Sequence, residues 1–433
     1  MGIVHRKRGY ILEEDLSIFT NRKEEKNDKE GSSIFKKYID KRVILVKNKN
    51  ILQSSYIPEQ LPHREQKINE IVEIIAPALN KDKPSNILII GKTGTGKTAV
   101  LNYIGKELKK ADPKEEKCIF IYVNCEVVDS PSGILYNISN QIISDPNRKI
   151  PFTGWSLDKT FFELMTFIDE QNKVFIMVLD EIDKVFRKNG DDIFYFLTTM
   201  NDMLKESRVS IIGVTNNSKF TEEMLTTKIK SRLGEEKIVF PPYTPTQLQD
   251  ILKDRAKEAF DNGILDSGVI PYCAAISAQD SGDARKALDL LRISADIAER
   301  NGDSSITEAH VNSAREKIEL DAVTEIINTL TEHSKVVLMS VIKGDEFQET
   351  KMTTGDVYMS YCDMCRVIGL KVLSQRRIAG LISELDMLGL IQAQLKSFGR
   401  NGRTKEISLN INRDITDKLM KDEIFVPLAN YKP

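Results

Sequence analysis

Eight consecutive residues, Gly91-Lys92-Thr93-Gly94-Thr95-Gly96-Lys97-Thr98, follow the spacing G-x-x-x-x-G-K-T. Glycines at these places let the backbone wrap closely, so that successive N–H groups point at phosphate oxygens. Lys97 sets a cation on the β- and γ-phosphates of a nucleotide, and the Thr98 hydroxyl is suited to ligate Mg2+. A helix begun at Lys97 and continued by Ala99 adds its positive dipole end. The chemistry expected here is the binding of ATP or ADP with Mg2+.

Further groups give that loop something to do. The apolar run Val174 to Leu179 ends in Asp180 and Glu181, with Asp183 following. At the C-terminal end of a parallel strand these acids lie beside the phosphate loop. Asp180 is expected to hold Mg2+ through water, and Glu181 to polarise the attacking water. Read alone, the run could be a buried strand ending in a polar turn; the glycine-rich loop upstream favours the catalytic reading. A later apolar run ends in Thr215-Asn216-Asn217. An amide there reaches the γ-phosphate; Asn216 is the preferred candidate, while Asn217 could be a turn residue. Asp283 is placed to cap a helix whose first turn holds Arg285. A cation at that end opposes the helix dipole, and a γ-phosphate would compensate the cost. The alternative is a solvated surface arginine.

The elements that must position these residues alternate in type. A helical pattern begins at Pro62, with Ile68, Ile71, Ile75 and Leu79 at helix spacing, and ends near Pro84. Apolar runs at 86–90, 118–124, 174–179, 210–214 and 237–240 then alternate with helical stretches, predicting a parallel sheet covered by helices on both faces. After Pro241-Pro242 the pattern becomes purely helical, over 244–260, 270–278, 283–300 and 307–318. A last unit reads as helices 322–342, 355–368 and 374–388, then strands 390–395 and 404–409. The stretch 21–33 has almost no apolar residue and is expected to be disordered.

Composition bounds the classes. A chain of 433 residues, 41% hydrophobic and 29% charged, calls for two to four structural units. No stretch nears the roughly 20 apolar residues of a membrane span, and the basic N-terminus lacks the apolar core of a signal, so a cytoplasmic location and no membrane partner are expected. With net charge -2 and a pI near 6.2, any nucleic-acid surface must be local. Five cysteines without a signal suggest a reducing compartment. Cys362 and Cys365 form one isolated C-x-x-C, short of the four ligands a zinc site needs, and read as thiols packed on a helix.

The C-terminal unit carries local basic charge. The helix from Ser374 opens with Gln375, Arg376 and Arg377 ahead of an apolar side of Ile378, Leu381, Ile382 and Leu385. A recognition helix presents that end to a major groove, where Gln375 or Arg376 could reach base edges or phosphates. Between the two strands lies a glycine-bearing connection flanked by Lys396, Arg400, Arg403 and Lys405, a basic finger suited to phosphates or a minor groove. The competing reading is a basic solvated hairpin in a protein-binding winged helix.

Taken in order, the phosphate loop, acidic strand end, Asn216 and Arg285 resemble the AAA+ ATPases, in which the last two match the positions called sensor 1 and sensor 2. The segments 56–65, Phe240-Pro241-Pro242-Tyr243, Pro131-Ser132-Gly133 and 151–155 narrow the likeness to archaeal replication initiators of the origin-recognition and cell-division-control type. That resemblance implies an α/β core with a helical lid and a C-terminal winged helix. It divides the chain into an N-terminal extension (1–50), nucleotide-binding core (51–243), lid (244–318) and winged-helix domain (319–433). It implies adenine near Tyr56, Ile57 and Pro58, with Tyr243 also at the nucleotide, and DNA contact by an insertion around Ser132 to Trp155. It further implies double-stranded origin DNA, the replicative MCM helicase and other initiator copies as partners, and a slow ATPase acting as a switch. Initiators often carry an arginine where Lys228 stands; Arg232 is the displaced candidate for acting on a neighbour's ATP. Two rival readings are a remodelling or clamp-loading ATPase with a protein-binding winged helix, and a DNA-binding regulator that holds nucleotide without turning it over.

Overall fold

The computed structural model describes residues 43–220, 225–347, 351–397, 403–411, 426–428 and 431. Its centre is a parallel sheet of five described strands: β1 (Ile87–Gly91), β2 (Cys118–Asn124), β3 (Val174–Asp180), β4 (Arg208–Thr215) and β5 (Glu236–Phe240). The spatial order is β2-β3-β4-β1-β5, so β1 sits between β4 and β5, with Ile89 paired to Val214 on one side and Ile238 on the other. All seven residues of β3 are buried, as expected of a strand covered on both faces. Its side chains alternate: Phe175, Met177 and Leu179 join one core cluster, while Val174, Ile176 and Val178 join the other. The first cluster takes in the helices Pro131–Ile142, Leu157–Glu170 and Ile182–Asn189; the second takes in Glu65–Ile75 and Lys97–Ala111.

The helical lid comprises Pro245–Ala259, Val269–Asp280, Ala284–Asn301 and Glu308–Thr329. Thr244 and Gln247 close a reciprocal cap at its first helix. One piece lies where the sequence did not put it. The segment at Leu45 to Leu52, split by the expected boundary between extension and core, packs on the lid: Leu45 and Val46 N–H donate to Glu299 Oε1 at 3.1 and 3.2 Å, and Lys49 bonds Asp296 and Glu299. Short apolar stretches of this kind give no periodicity from which a docking partner could be read. The stretch 21–33 lies outside the described residues.

The winged helix contains helices Glu332–Phe347, Thr354–Ile368 and Gln375–Met387 and the antiparallel strands β6 (Met352–Thr353), β7 (Ile391–Ser397) and β8 (Arg403–Leu409), ordered β6-β8-β7. Two expectations need correction. The helix expected over 307–318 runs unbroken to Thr329, through the 318/319 division, because no Gly or Pro stops it. The helix expected over 322–342 is instead interrupted at Leu330, and a new one starts where Thr331 Oγ1 accepts from the Ser334 N–H at 3.3 Å. Two-residue β6, too short for a sequence pattern, was not anticipated. Cys365 is buried and Cys362 half-buried, packed with the winged-helix core.

Candidate functional site

The phosphate loop leaves β1 with backbone geometry that glycine supplies. Gly94 and Gly96 have φ of +71° and +88°, and a Cβ on Gly91 would lie 2.7 Å from Phe240 O. The loop delivers Lys97 and Thr98 into the first turn of the helix Lys97–Ala111, as the motif requires. Lys97 is 6% exposed, and its Nζ donates to Gly91 O, Lys92 O and Asn216 Oδ1 at 2.7, 2.8 and 2.7 Å. Thr98 Oγ1 donates to Asp180 Oδ2 at 2.7 Å. Asn216 Nδ2 donates to Glu181 Oε1 at 3.2 Å. Asn216 thus touches both the loop lysine and the acid at the end of β3. Asn217 instead closes the following turn, its N–H on Thr215 Oγ1 and its Oδ1 on the Lys219 N–H.

Electrostatics follow from burial. Desolvation pushes Lys97 down to about 8, a fall deepened by Arg285 and opposed by Asp180, Glu181 and Asp183. Burial raises the Glu181 carboxyl above its ordinary range, helped by Glu126 and Asp180 and opposed by the Asn216 hydrogen bond. Glu181 also holds a left-handed backbone, φ +57°, at the turn into the helix Ile182–Asn189.

A cavity of about 840 Å³ opens over this constellation. Its walls include Tyr56, Ile57, Pro58, Thr93, Gly94, Gly96, Lys97, Thr98, Ala99, Asp180, Glu181, Asn216, Tyr243 and Arg285. Gly91, Lys92 and Thr95 do not line it; Thr95 is buried and its hydroxyl donates to Lys92 O. The lid closes directly on the loop, since Ala284 N–H donates to Gly94 O at 3.1 Å. Asp283 caps its helix through the Arg285 and Lys286 N–H groups. Arg232 lies outside the cavity walls, paired with Asp202 at 2.9 Å.

Several contributors were missed by the sequence reading. Arg255, 8% exposed, donates from Nη2 to Tyr56 O at 3.1 Å, lies 4.6 Å from the Tyr56 ring centre, and leaves Nη1 buried without a hydrogen-bond partner at the cavity wall. The signal was present: Arg255 occupies a core position in the stripe Leu248, Leu252, Arg255, Ala259. Tyr122, on β2, donates to Asp180 Oδ2 at 2.7 Å, and burial with that carboxylate raises its own pKa. Its aromatic ring reads as strand packing, so nothing in the sequence singled it out.

At the winged helix, Gln375, Arg376 and Arg377 are exposed on the first turn while Ile378, Leu381, Ile382 and Leu385 are buried. The expected basic finger is narrower than supposed. β7 and β8 run on to the pair Ser397–Arg403, leaving Lys396 and Lys405 within the ladder. Lys396 pairs with Glu406, and Lys405 Nζ donates to Ser383 Oγ at 2.8 Å. Arg400 lies outside the described residues. No helix among the described residues is long and apolar enough to cross a membrane.

Comparison with known proteins agrees across three segments. Residues 80–222 match an AAA domain, 249–316 a Cdc6 AAA+ ATPase-type lid domain, and 325–418 a CDC6 C-terminal winged helix domain. The chain is 48% identical over 380 residues to the ORC1-type DNA replication protein of Thermococcus onnurineus, covering 88% of this chain and 91% of that one. It is 46% identical over 405 residues to ORC1-type DNA replication protein 1 of Methanosarcina acetivorans, covering 92% and 96%. The solved structure of the Aeropyrum pernix ORC1 protein in complex with DNA superposes with a TM-score of 0.73 at 39% identity, covering 89% of this chain and 99% of that one.

Proposed function

Because the chain belongs to the archaeal Orc1/Cdc6 family of AAA+ replication proteins, we propose that it is a replication initiator whose hold on origin DNA is set by ATP. The observation that carries the DNA half is the likeness, at 39% identity and TM-score 0.73, to an ORC1 protein solved on DNA. In this reading Gln375, Arg376 and Arg377 enter a major groove, and the basic hairpin bearing Arg400 and Arg403 follows the backbone or the minor groove. Recruitment of the MCM helicase and assembly with further initiator copies belong to the same proposal, with Arg232 as the candidate for reaching a neighbour's nucleotide.

The ATP half rests on the chain Lys97–Asn216–Glu181. Oxygen donors at Thr98 and Asp180 fit Mg2+, a hard cation that prefers oxygen. Bound there, Mg2+ would neutralise charge on the β- and γ-phosphates. Glu181 takes the proton of the attacking water as its oxygen bonds to the γ-phosphorus and the bond to ADP breaks. Lys97, Asn216 and Arg285 hold the γ-phosphoryl oxygens, and Tyr56, Ile57 and Pro58, backed by Arg255, take the adenine side. The Asn216–Glu181 bond engages the base until bound nucleotide draws the amide to the γ-phosphate; slow turnover, and hence use as a switch, belongs to the same proposal.

Footprinting on the origin region of the host chromosome tests the initiator reading. Protection of inverted repeats is expected, and a featureless pattern at low salt would sink it. Replacing Arg376 and Arg377 by Ala should weaken binding and reduce its salt slope by about one per lost phosphate contact; an unchanged slope removes this turn from the interface.

A further inference from the structure

Arg64 stands outside the phosphate site, yet it is 3% exposed and its guanidinium gathers three separate pieces of backbone. Nε donates to Thr95 O of the phosphate loop at 2.9 Å, Nη1 to His63 O at 3.1 Å, and Nη2 to Pro241 O at 2.9 Å. The same group lies 3.8 Å from the centre of the Tyr243 ring and 5.6 Å from that of Phe240. Among the described residues no carboxylate is bonded to it. Burial lowers the Arg64 pKa, with Tyr243 and Glu65 offsetting only part of the cost, so the position calls for an explanation beyond packing.

The contacts form a closed circuit. Phe240 ends β5, and Pro241, Pro242 and Tyr243 connect it to the lid. Tyr243 is boxed in by two glycines: a Cβ on Gly96 would lie 2.6 Å from its hydroxyl, and one on Gly282 2.6 Å from its carbonyl oxygen. The Tyr243 N–H donates to Gly282 O at 3.2 Å, next to Asp283 and Arg285. Ala284 N–H returns to Gly94 O at 3.1 Å. The path therefore runs from the phosphate loop through Arg64 to the hinge, from the hinge to the first turn that carries Arg285, and back to the loop.

We propose that Arg64 is a positioning residue that ties the conformation of the phosphate loop to the lid hinge, and so sets where Arg285 stands over the γ-phosphate. The inference rests on the reading of the cavity as an ATP site with Arg285 at its γ end. Turning the peptide after Thr95 to admit phosphate shifts the acceptor of Nε. The planar fork passes that shift to Pro241 O and to the stacked Tyr243. A lysine cannot do this, having neither the fork nor the flat face.

The test is a double-mutant cycle on the full chain, with ATP and ADP affinities measured for Arg64→Lys, Arg285→Ala and both together. If Arg64 acts through Arg285, Arg64→Lys lowers ATP affinity about tenfold and leaves ADP within about twofold. In the Arg285→Ala background it then changes ATP affinity by no more than about twofold. A mere packing role would weaken ATP and ADP alike, or persist undiminished without Arg285; either result overturns the proposal. Should Arg64→Lys melt too low to assay, Phe240→Leu, outside the cavity walls, removes one ring face beside the guanidinium while leaving the carbonyl bonds, and the same selectivity and non-additivity are required of it. If Arg285→Ala alone leaves the ATP-to-ADP ratio unchanged, the γ-phosphate role of Arg285 itself fails, and the single variant makes that visible separately.

Discussion

Lys97 is buried and Glu181 half-buried at the phosphate loop, but burial moves them in opposite ways. For the carboxyl it raises the pKa, improving a base that must take a proton near neutral pH. Hydrolysis should therefore decline as pH falls through this raised value, and Glu181→Gln should lower single-turnover hydrolysis about 10²–10⁴-fold with ATP affinity retained; an unchanged rate removes Glu181 from catalysis. Lys97, pushed down to about 8, is partly neutral in alkaline solution unless phosphate restores its charge. The terminal phosphate is already ionised above pH 8, so the lysine alone sets the slope there. ATP affinity should be flat below about pH 8 and then weaken about tenfold per pH unit, as measured by titration calorimetry from pH 7 to 10. The sign for the nucleotide-free protein is the reverse. Between about 8 and the unfolded value of 10.5 the unfolded chain holds the extra proton, so folding stability rises with pH. Lys97 was legible because the motif fixes its place, and Glu181 because it ends an apolar run to which the upstream glycine-rich loop gives a catalytic meaning. Arg64 was not, since only the fold shows that it bonds to Thr95 and Pro241, far from it in the chain.

At the scale of elements, the sheet was legible because each strand is a short apolar run set off by polar turns, and β1 enters the loop directly. What the sequence withheld was how closely the lid sits. Gly94 shows this: a Cβ there would lie 1.6 Å from Asp283 Oδ1, and φ of +71° adds strain of its own. Gly94→Ala should cost ATP affinity on two counts. The left-handed backbone contributes about 1–2 kcal/mol, roughly 5- to 30-fold, and displacement of the lid helix adds more. The two separate by rescue. Asp283→Ser keeps a capping oxygen but shortens the side chain, so the double variant should recover to about the loss that strain alone imposes. If the double variant binds no better than Gly94→Ala, the lid does not approach the loop in this way. The hairpin illustrates the opposite failure. Lys396 and Lys405 read as basic finger residues by composition, but strand register commits them to Glu406 and Ser383.

Across the whole molecule, the helix Glu308–Thr329 decides how a nucleotide between core and lid could matter to a winged helix. The sequence suggested a stop near residue 318, which would have made a joint there. The unbroken helix is 22 residues, about 33 Å, and packs against the helix Ala284–Asn301, whose first turn holds Arg285. A lid rotation of about 10° would carry its far end on the order of 6 Å, enough to change the placing of the winged helix. If that lever carries the switch, ATP must change DNA affinity by some factor, and DNA must change ATP affinity by the same factor. Glu319 is exposed near the middle of the rod, where a proline would remove a hydrogen bond and kink the helix at about 3 kcal/mol. Glu319→Pro should therefore leave ATP binding and DNA binding each measurable alone while both coupling factors fall together toward one. DNA affinity measured with ATP and with ADP, and ATP affinity measured with and without DNA, give the two factors. Unequal factors in the parent chain would reveal unequal reference states. Equal factors that survive Glu319→Pro would mean that the coupling runs through DNA contacts of the core and not along the rod.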